Sequence, residues 1–266
     1  MSRIAPVILS CASRLGIGTI DGDGVGRAAP ETQMCSFLGH GISLTPMPLV
    51  GQGGMELVVR SGDLFLADEV GRFVASRNGG LLANAHYGMT GKELKRCAVR
   101  GSITRSLELG RFVRACGQAG SDGLDAVMNH LGGFSVLHGR VQSVRSQSSL
   151  GFFVILATLE GVGRDQGRRL ELTIKNEVMC VKEDGRPLVV FPDLALLMHP
   201  ENLHGVMSPE LTAGKEVLLG ALPCDPVVRE ALVHPSGERG FSSARYGENL
   251  TYIPVERLMA SGNDDA

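Results

Sequence analysis

Tryptophan is absent from the 266 residues, and aromatic side chains make up only 5% of them. The 26 lysines and arginines are balanced by 28 aspartates and glutamates, and no basic block stands out. A surface that stacks bases or tracks phosphates is therefore not expected, and nucleic acid is excluded as a partner. No run approaches the roughly 18 apolar residues of a membrane span. The N-terminal run Ile4–Leu9 falls short of a secretory core, which needs about 7–15 residues. The reading is a soluble, cytoplasmic chain without a membrane partner. The six cysteines lie far apart and include no C-x-x-C pair, which argues against zinc ribbons and thioredoxin-type chemistry. They read as reduced, mostly buried thiols. H-E-x-x-H is missing, so no preassembled histidine zinc site is visible, and without G-x-S-x-G a serine-hydrolase reading has no support.

Glycine, by contrast, is abundant at 36 residues and follows no G-X-Y period, which implies many tight turns. Val7, Ile8, Cys11, Ala12 and Leu15 recur at helical spacing, so residues 5–15 are predicted to form a helix. "IGTID" then reads as a short strand, followed by a glycine loop and a helix from about Pro30 to Gly39. "ISLTPMPLV" and "MELVV" read as strands around "GQGG". Helices are expected around Leu66–Val74, after Thr90, after Ser102 (with Thr90 and Ser102 as N-caps), and over "GLDAVMNHL", closing at Gly132.

Beyond Gly133 the pattern changes to period two. "FSVLHGRVQSV", "GFFVILATLEG", "RLELTIKNEVMCV", "LVVFPDLALLM", "KEVLLGAL" and "TYIPVE" read as strands, with a hairpin signal at 183–186. The fold class is thus an α/β (α+β) N-terminal part followed by a mainly-β C-terminal domain. The expected divisions are residues 1–132, 133–260 and a disordered tail at 261–266.

The stretch "TIDGDGVGRAAPETQM" (Thr19 to Met34) holds the densest cluster of candidate chemistry. It leaves a strand and enters a helix, a position where ligands sit in open α/β sheets. Its glycines are spaced G-x-G-x-G rather than G-x-G-x-x-G, and Asp21 and Asp23 would repel a phosphate, so no nucleotide cofactor is expected. On extended backbone, Asp21 and Asp23 project to one side, and flanking Gly24 leaves room for a close approach. With Glu31 they are suited to proton transfer or to a hard divalent cation, and Arg27 to clamping a carboxylate or carbonyl. The same residues also make two Asp-Gly turns and an Asp–Arg pair, and spacing leaves both readings open.

Elsewhere, His86 in "HYGMTGK" titrates in the range useful for acid–base work. Asn176 and Glu177 interrupt an otherwise apolar strand, either at a change of face or toward a pocket. Asp193 lies inside an apolar run, where a buried carboxylate needs a partner.

"DGDGVGRAAPETQM", "KNEVMCVKEDGRPLVVFPDL" and "RYGENLTYIPVE" together resemble the S-methyl thiohydantoin desulfurase-like family, which is associated with hydantoinase and oxoprolinase systems. The first stretch matches a D-[AG]-D-G-x-G-R-A-x-P-E-x-Q-M pattern closely, and the resemblance covers nearly the whole chain. It implies a hydrolase acting on small cyclic amide or thioamide rings, with a divalent metal ion as an option. The alternative is a non-catalytic subunit or ligand-binding module that keeps the fold. It further implies Asp21, Asp23 and Glu31 as catalytic residues. Arg27, Gly24, His86, Asn176, Glu177 and Asp193 would bind substrate in a cleft between domains. Family members carry a longer segment upstream, so a homo-oligomer or a partner chain supplying that segment is expected.

Overall fold

The structure, a computed structural model, describes residues 5–149 and 152–261. The expected disordered tail lies almost wholly outside the described residues.

Helix α1 (Ala5–Leu15) forms where its periodicity places it. Three of its apolar side chains face outward, with Val7 59%, Ile8 57% and Leu15 71% exposed, while Ala12 is buried. The strand expected over "IGTID" does not form; the pairing here is β1 (Gly22–Asp23), two residues inside the expected glycine loop, with its equally short partner β5 (Val99–Arg100). The helix expected over 30–39 contracts to α2 (Ser36–Gly39). Residues before it are drawn away by polar partners: the Thr32 N–H donates to Asp68 Oδ1 at 3.2 Å, and Cys35 is fully extended.

Strands β2 (Met47–Val50), β3 (Glu56–Val59) and β4 (Ala83–Asn84) make a small sheet in the order β3-β2-β4. Met47 and Leu49 point into a core while Pro48 and Val50 face out, the alternation of a one-sided strand. Helix α3 (Leu64–Arg77) is capped by Asp63, whose carboxylate accepts from the N–H groups of Phe65 and Leu66. Helix α4 (Gly91–Cys97) begins at the expected Thr90 N-cap, and Glu93 completes a capping box with it. Helix α5 (Ser102–Ala115) starts differently. Its N-cap is Gly101, at φ 71, rather than Ser102, and glycine brings no capping side chain. Helix α6 (Gly120–Leu131) ends at left-handed Gly132, and the α-rich part ends with it.

From Phe134 onward the chain builds one seven-stranded antiparallel sheet in the order β10-β9-β8-β7-β6-β12-β11. Its strands are β6 (Phe134–Ser149), β7 (Phe152–Gly161), β8 (Arg169–Lys175), β9 (Glu177–Glu183), β10 (Arg186–Val190), β11 (Leu194–Met198) and β12 (Glu216–Leu222). Edge strands β10 and β11 are separated in sequence by only three residues, Phe191 to Asp193. The sheet must therefore curl until its edges approach, enclosing a core that includes Val136, Leu159, Leu172, Val181, Leu197 and Leu219.

Two expected strands are in fact pairs. "RLELTIKNEVMCV" breaks at Asn176, whose φ of 60 turns the chain so that Lys175 pairs with Glu177. "LVVFPDLALLM" breaks at Pro192, which lacks an N–H, and the Asp193 N–H closes a turn onto the Val190 carbonyl at 3.1 Å. The hairpin at 183–186 forms as expected, with Asp184 and Gly185 both at positive φ.

Helices α7 (Pro226–Leu232), α8 (Pro235–Phe241) and α9 (Val255–Ser261) complete the chain. "TYIPVE" is thus not a strand: Pro254 cannot donate to a ladder, and the Val255 N–H is taken by Asp193. A second core joins the two parts. Met34 and Val99 from the first pack with Met179, Phe191, Val228, Phe241 and Tyr246 from the second.

Candidate functional site

Asp21 and Asp23 do not work as a pair. Asp21 serves the start of α5, where its Oδ1 accepts from the N–H groups of Ile103 at 2.9 Å and Thr104 at 3.1 Å. Its Oδ2 accepts from the Thr104 hydroxyl at 2.5 Å. The Asp21 carboxylate, just ahead of β1, thereby supplies the cap that Gly101 cannot. That hydroxyl bond above all holds the Asp21 pKa below the ordinary aspartate value. The capping contribution is present above the unfolded-state pKa and is lost as pH falls through the lower folded one. Asp21→Asn should therefore lower the melting temperature near neutrality and flatten the acid limb of stability against pH.

Asp23 turns on its own loop. Its Oδ1 accepts from Val25 N at 2.7 Å and Gly26 N at 2.5 Å. Gly26 sits at φ +71, and a Cβ on Gly24 would stand 2.8 Å from Cys35 Cβ, so this tight fold demands glycine at both positions.

The turn aims Arg27 into the curled sheet. Its Nη2 donates to the Val178 carbonyl at 2.9 Å and its Nη1 to the Asp193 carbonyl at 2.6 Å. The guanidinium also lies 5.0 Å from the Phe191 ring centroid. Burial pulls its pKa down to about 10, with Glu177 the largest opposing influence, so Arg27 remains a cation at neutrality.

Two buried polar atoms near this cation, Glu177 Oε2 and the Tyr246 hydroxyl, have no hydrogen-bond partner among the described residues. Both groups lie within electrostatic reach of Arg27. Burial raises the Glu177 carboxyl pKa, and Arg27 only partly reverses this. Burial also raises the Tyr246 hydroxyl, which stays protonated. Buried unpaired groups are uncommon because each forgoes hydration without compensation. Two such groups lie around one arginine at the seam between the glycine loop and β9.

A buried ionic network holds the seam in place. Glu31 is 5% exposed and receives Lys175 Nζ, Arg245 Nε at 2.8 Å, Arg245 Nη2 and the Gln33 amide. Lys175 also donates to the Arg245 carbonyl at 2.8 Å. Arg245 and Tyr246 are consecutive in one 3-10 turn, so pinning the first to Glu31 fixes where the second presents its hydroxyl. Lys175, Arg245 and Tyr246 were missed in the sequence because each borrows its role from a distant segment. Arg245 and Tyr246 open "RYGENLTYIPVE", whose order along the chain was the available signal.

The remaining candidates scatter. Asn176 is an exposed turn residue. His86 stacks edge-on against Tyr87 with its Nδ1 buried and unpartnered, and burial lowers its pKa toward the neutral imidazole. Asp193 is a structural staple. Its carboxylate accepts from Cys224 N at 2.8 Å, the Tyr252 hydroxyl at 3.0 Å and Val255 N at 2.7 Å, with Arg229 at 3.4 Å.

Models of the S-Me-THD-like N-terminal and C-terminal domains match residues 2–61 and 62–255. The chain belongs to the S-Me-THD-like family. A crystal structure of a protein from Chromobacterium violaceum has a similar fold, with a TM-score of 0.66 and 22% identity over 92% of this chain and 68% of that one. Comparison with curated proteins gives no match. The two family models meet at 61/62, whereas the secondary structure of this S-Me-THD-like chain changes character between Leu131 and Phe134.

A divalent metal does not suit the residues suggested for it. Asp21 is committed to α5, Asp23 to its own loop, and Glu31 already sits between two cations that would repel a third. Among the described residues, no three His, Cys, Asp or Glu side chains gather into a metal-holding group. None of the described helices is long and apolar enough to cross a membrane.

Proposed function

We propose that this S-Me-THD-like protein is a hydrolase of small cyclic amide or thioamide rings of the thiohydantoin or hydantoin type. The observation that carries the reading is the pair of buried, unpartnered atoms beside Arg27, Glu177 Oε2 and the Tyr246 hydroxyl. A carboxyl whose pKa burial raises holds its proton more readily than an exposed one, which suits it to proton transfer. In an S-methyl thiohydantoin, Glu177 takes a proton from water as the oxygen attacks the ring carbon bearing sulfur. Tyr246 protonates the ring nitrogen. As the carbon–sulfur bond breaks, the new hydroxyl returns a proton to Tyr246 while Glu177 protonates the departing thiol. Ring carbonyl and methanethiol result. Arg27 contributes a fixed positive field over the negative charge that develops.

The test is thiol release from an S-methyl thiohydantoin. Glu177→Gln and Tyr246→Phe should each slow it by about 10²–10⁴-fold. Glu177→Gln should at the same time stabilise the fold near neutrality. A carboxyl whose folded pKa is raised lends stability only below its unfolded pKa, and that advantage is lost as pH rises through the folded value. Full turnover in Glu177→Gln would sink the assignment.

A second reading, a ligand-binding module without turnover, is favoured by the structural employment of Asp21, Asp23 and Asp193. It predicts that calorimetry detects the thiohydantoin binding while no thiol is released.

A further inference from the structure

Away from the seam, where β6 and β12 meet the start of α6, a hydroxyl, an imidazole and a carboxylate stand in line. Ser121 Oγ is 3.3 Å from His138 Nδ1. His138 Nε2 is 3.5 Å from Glu216 Oε2, and Arg140 tethers the other oxygen of that carboxylate at 2.6 Å. His138 Nε2 is shielded from solvent and makes no hydrogen bond among the described residues; Glu216 Oε2, at 3.5 Å, is the carboxylate oxygen beside it. With Nδ1 accepting the serine proton, the ring's own hydrogen belongs on Nε2, where a small shift of the Glu216 side chain would let the carboxylate accept it. That is the nucleophile–base–acid order of a hydrolytic triad with the imidazole turned end for end.

The backbone holds this array firmly. Glu216 pairs with Arg140, two residues beyond His138, so the carboxylate and the imidazole rise from one face of neighbouring strands. The His138 N–H donates to Asp165 Oδ2 at 2.8 Å, and its carbonyl accepts from Val162 N at 2.8 Å. Ser121 lies in the first turn of α6, which spans 12 residues and has no side-chain cap. The Gly120 N–H is taken by the Pro200 carbonyl, while those of Ser121 and Asp122 belong to the first turn and have no intrahelical acceptor. Such N–H groups beside a nucleophile are what an oxyanion requires. The acidic side chains of this helix are answered by Arg164, which pairs with Asp125 at 2.6 Å and lies within reach of Asp122.

We propose that Ser121, His138 and Glu216 form a second reactive centre, one that transfers acyl groups from small carboxylic esters or thioesters. Ser121 Oγ bonds to the acyl carbon as its proton passes to His138 Nδ1, and Glu216 balances the imidazolium. Collapse breaks the bond to the alcohol or thiol, which leaves with the proton from His138. Water, deprotonated by the same nitrogen, then cleaves the Ser121 ester to a carboxylic acid and restores the serine.

The experiment uses the full chain with its accessible thiols first blocked by iodoacetamide. A fluorophosphonate probe followed by peptide mass spectrometry should place the adduct on Ser121. Cleavage of p-nitrophenyl acetate should fall at least tenfold in Ser121→Ala and His138→Gln, with the melting temperature of Ser121→Ala unchanged. Glu177→Gln should label as wild type does, which separates this centre from the ring-hydrolysing one. Absence of a Ser121 adduct on folded protein, or ester cleavage by Ser121→Ala equal to wild type, would overturn the proposal. Should His138→Gln fail to fold, labelling and Ser121→Ala decide alone.

Discussion

Asp193→Ala should cost about 3–5 kcal/mol of folding free energy, the range for removing one member of a buried charged network. The carboxylate is fully buried and collects donors from four separate places: the end of β12 at Cys224, α7 at Arg229, the connecting segment at Tyr252 and the start of α9 at Val255. Alanine leaves those donors desolvated and unpaired, and the last stretch of chain loses its anchor. Domains of this kind have only about 5–15 kcal/mol in hand, so much of the protein should be unfolded at moderate temperature. Asp193→Asn keeps shape and one acceptor oxygen and should fall between alanine and wild type. Chemical denaturation checks both. A loss below about 1 kcal/mol for alanine would mean that the staple contributes no more than an ordinary hydrogen bond.

Glu31→Gln should be of similar size and should also impair turnover. Neutralising Glu31 strips the buried Lys175 and the half-buried Arg245 of their shared carboxylate, with Lys175 9% and Arg245 22% exposed at the side chain. The expected loss is about 3–5 kcal/mol. Adding Lys175→Met should recover part of it, since one orphaned charge is then removed, and the double-mutant cycle measures that coupling. Because Arg245 positions Tyr246, residual thiol release by the folded fraction of Glu31→Gln should drop in kcat more than in KM. A loss that the double variant does not relieve, or kcat left untouched in the folded protein, would remove Glu31 from this role.

The architecture was legible where local rules decide the outcome. The Thr90–Glu93 box, the Gly132 stop and the Asp184–Gly185 turn are each settled by a few neighbouring residues. The sheet was legible as strands but not as partners. Breaks at Asn176 and Pro192 became hairpins and corners only once the sheet curled. Helices α7 and α8 passed unnoticed even though Asp225-Pro226 and His234-Pro235 are N-cap signals with proline at the first helical position. The glycine–aspartate loop was recognised as a special place, and its turn reading is met by Asp21 and Asp23. Asp21 and Asp23 shape the backbone, while Arg27 and Glu31 reach into the other half of the chain. No spacing rule separates these fates. The choice depends on what stands opposite: α5 for Asp21, and β8 with the 3-10 turn for Glu31.

The core that mixes Met34 and Val99 with Phe191, Phe241 and Tyr246 belongs to neither half alone. Dissecting the chain where helices give way to strands would therefore yield two pieces each carrying a raw greasy wound. Heat or urea should therefore act on the parts together, because loosening the glycine loop uncovers the side chains that both halves contribute.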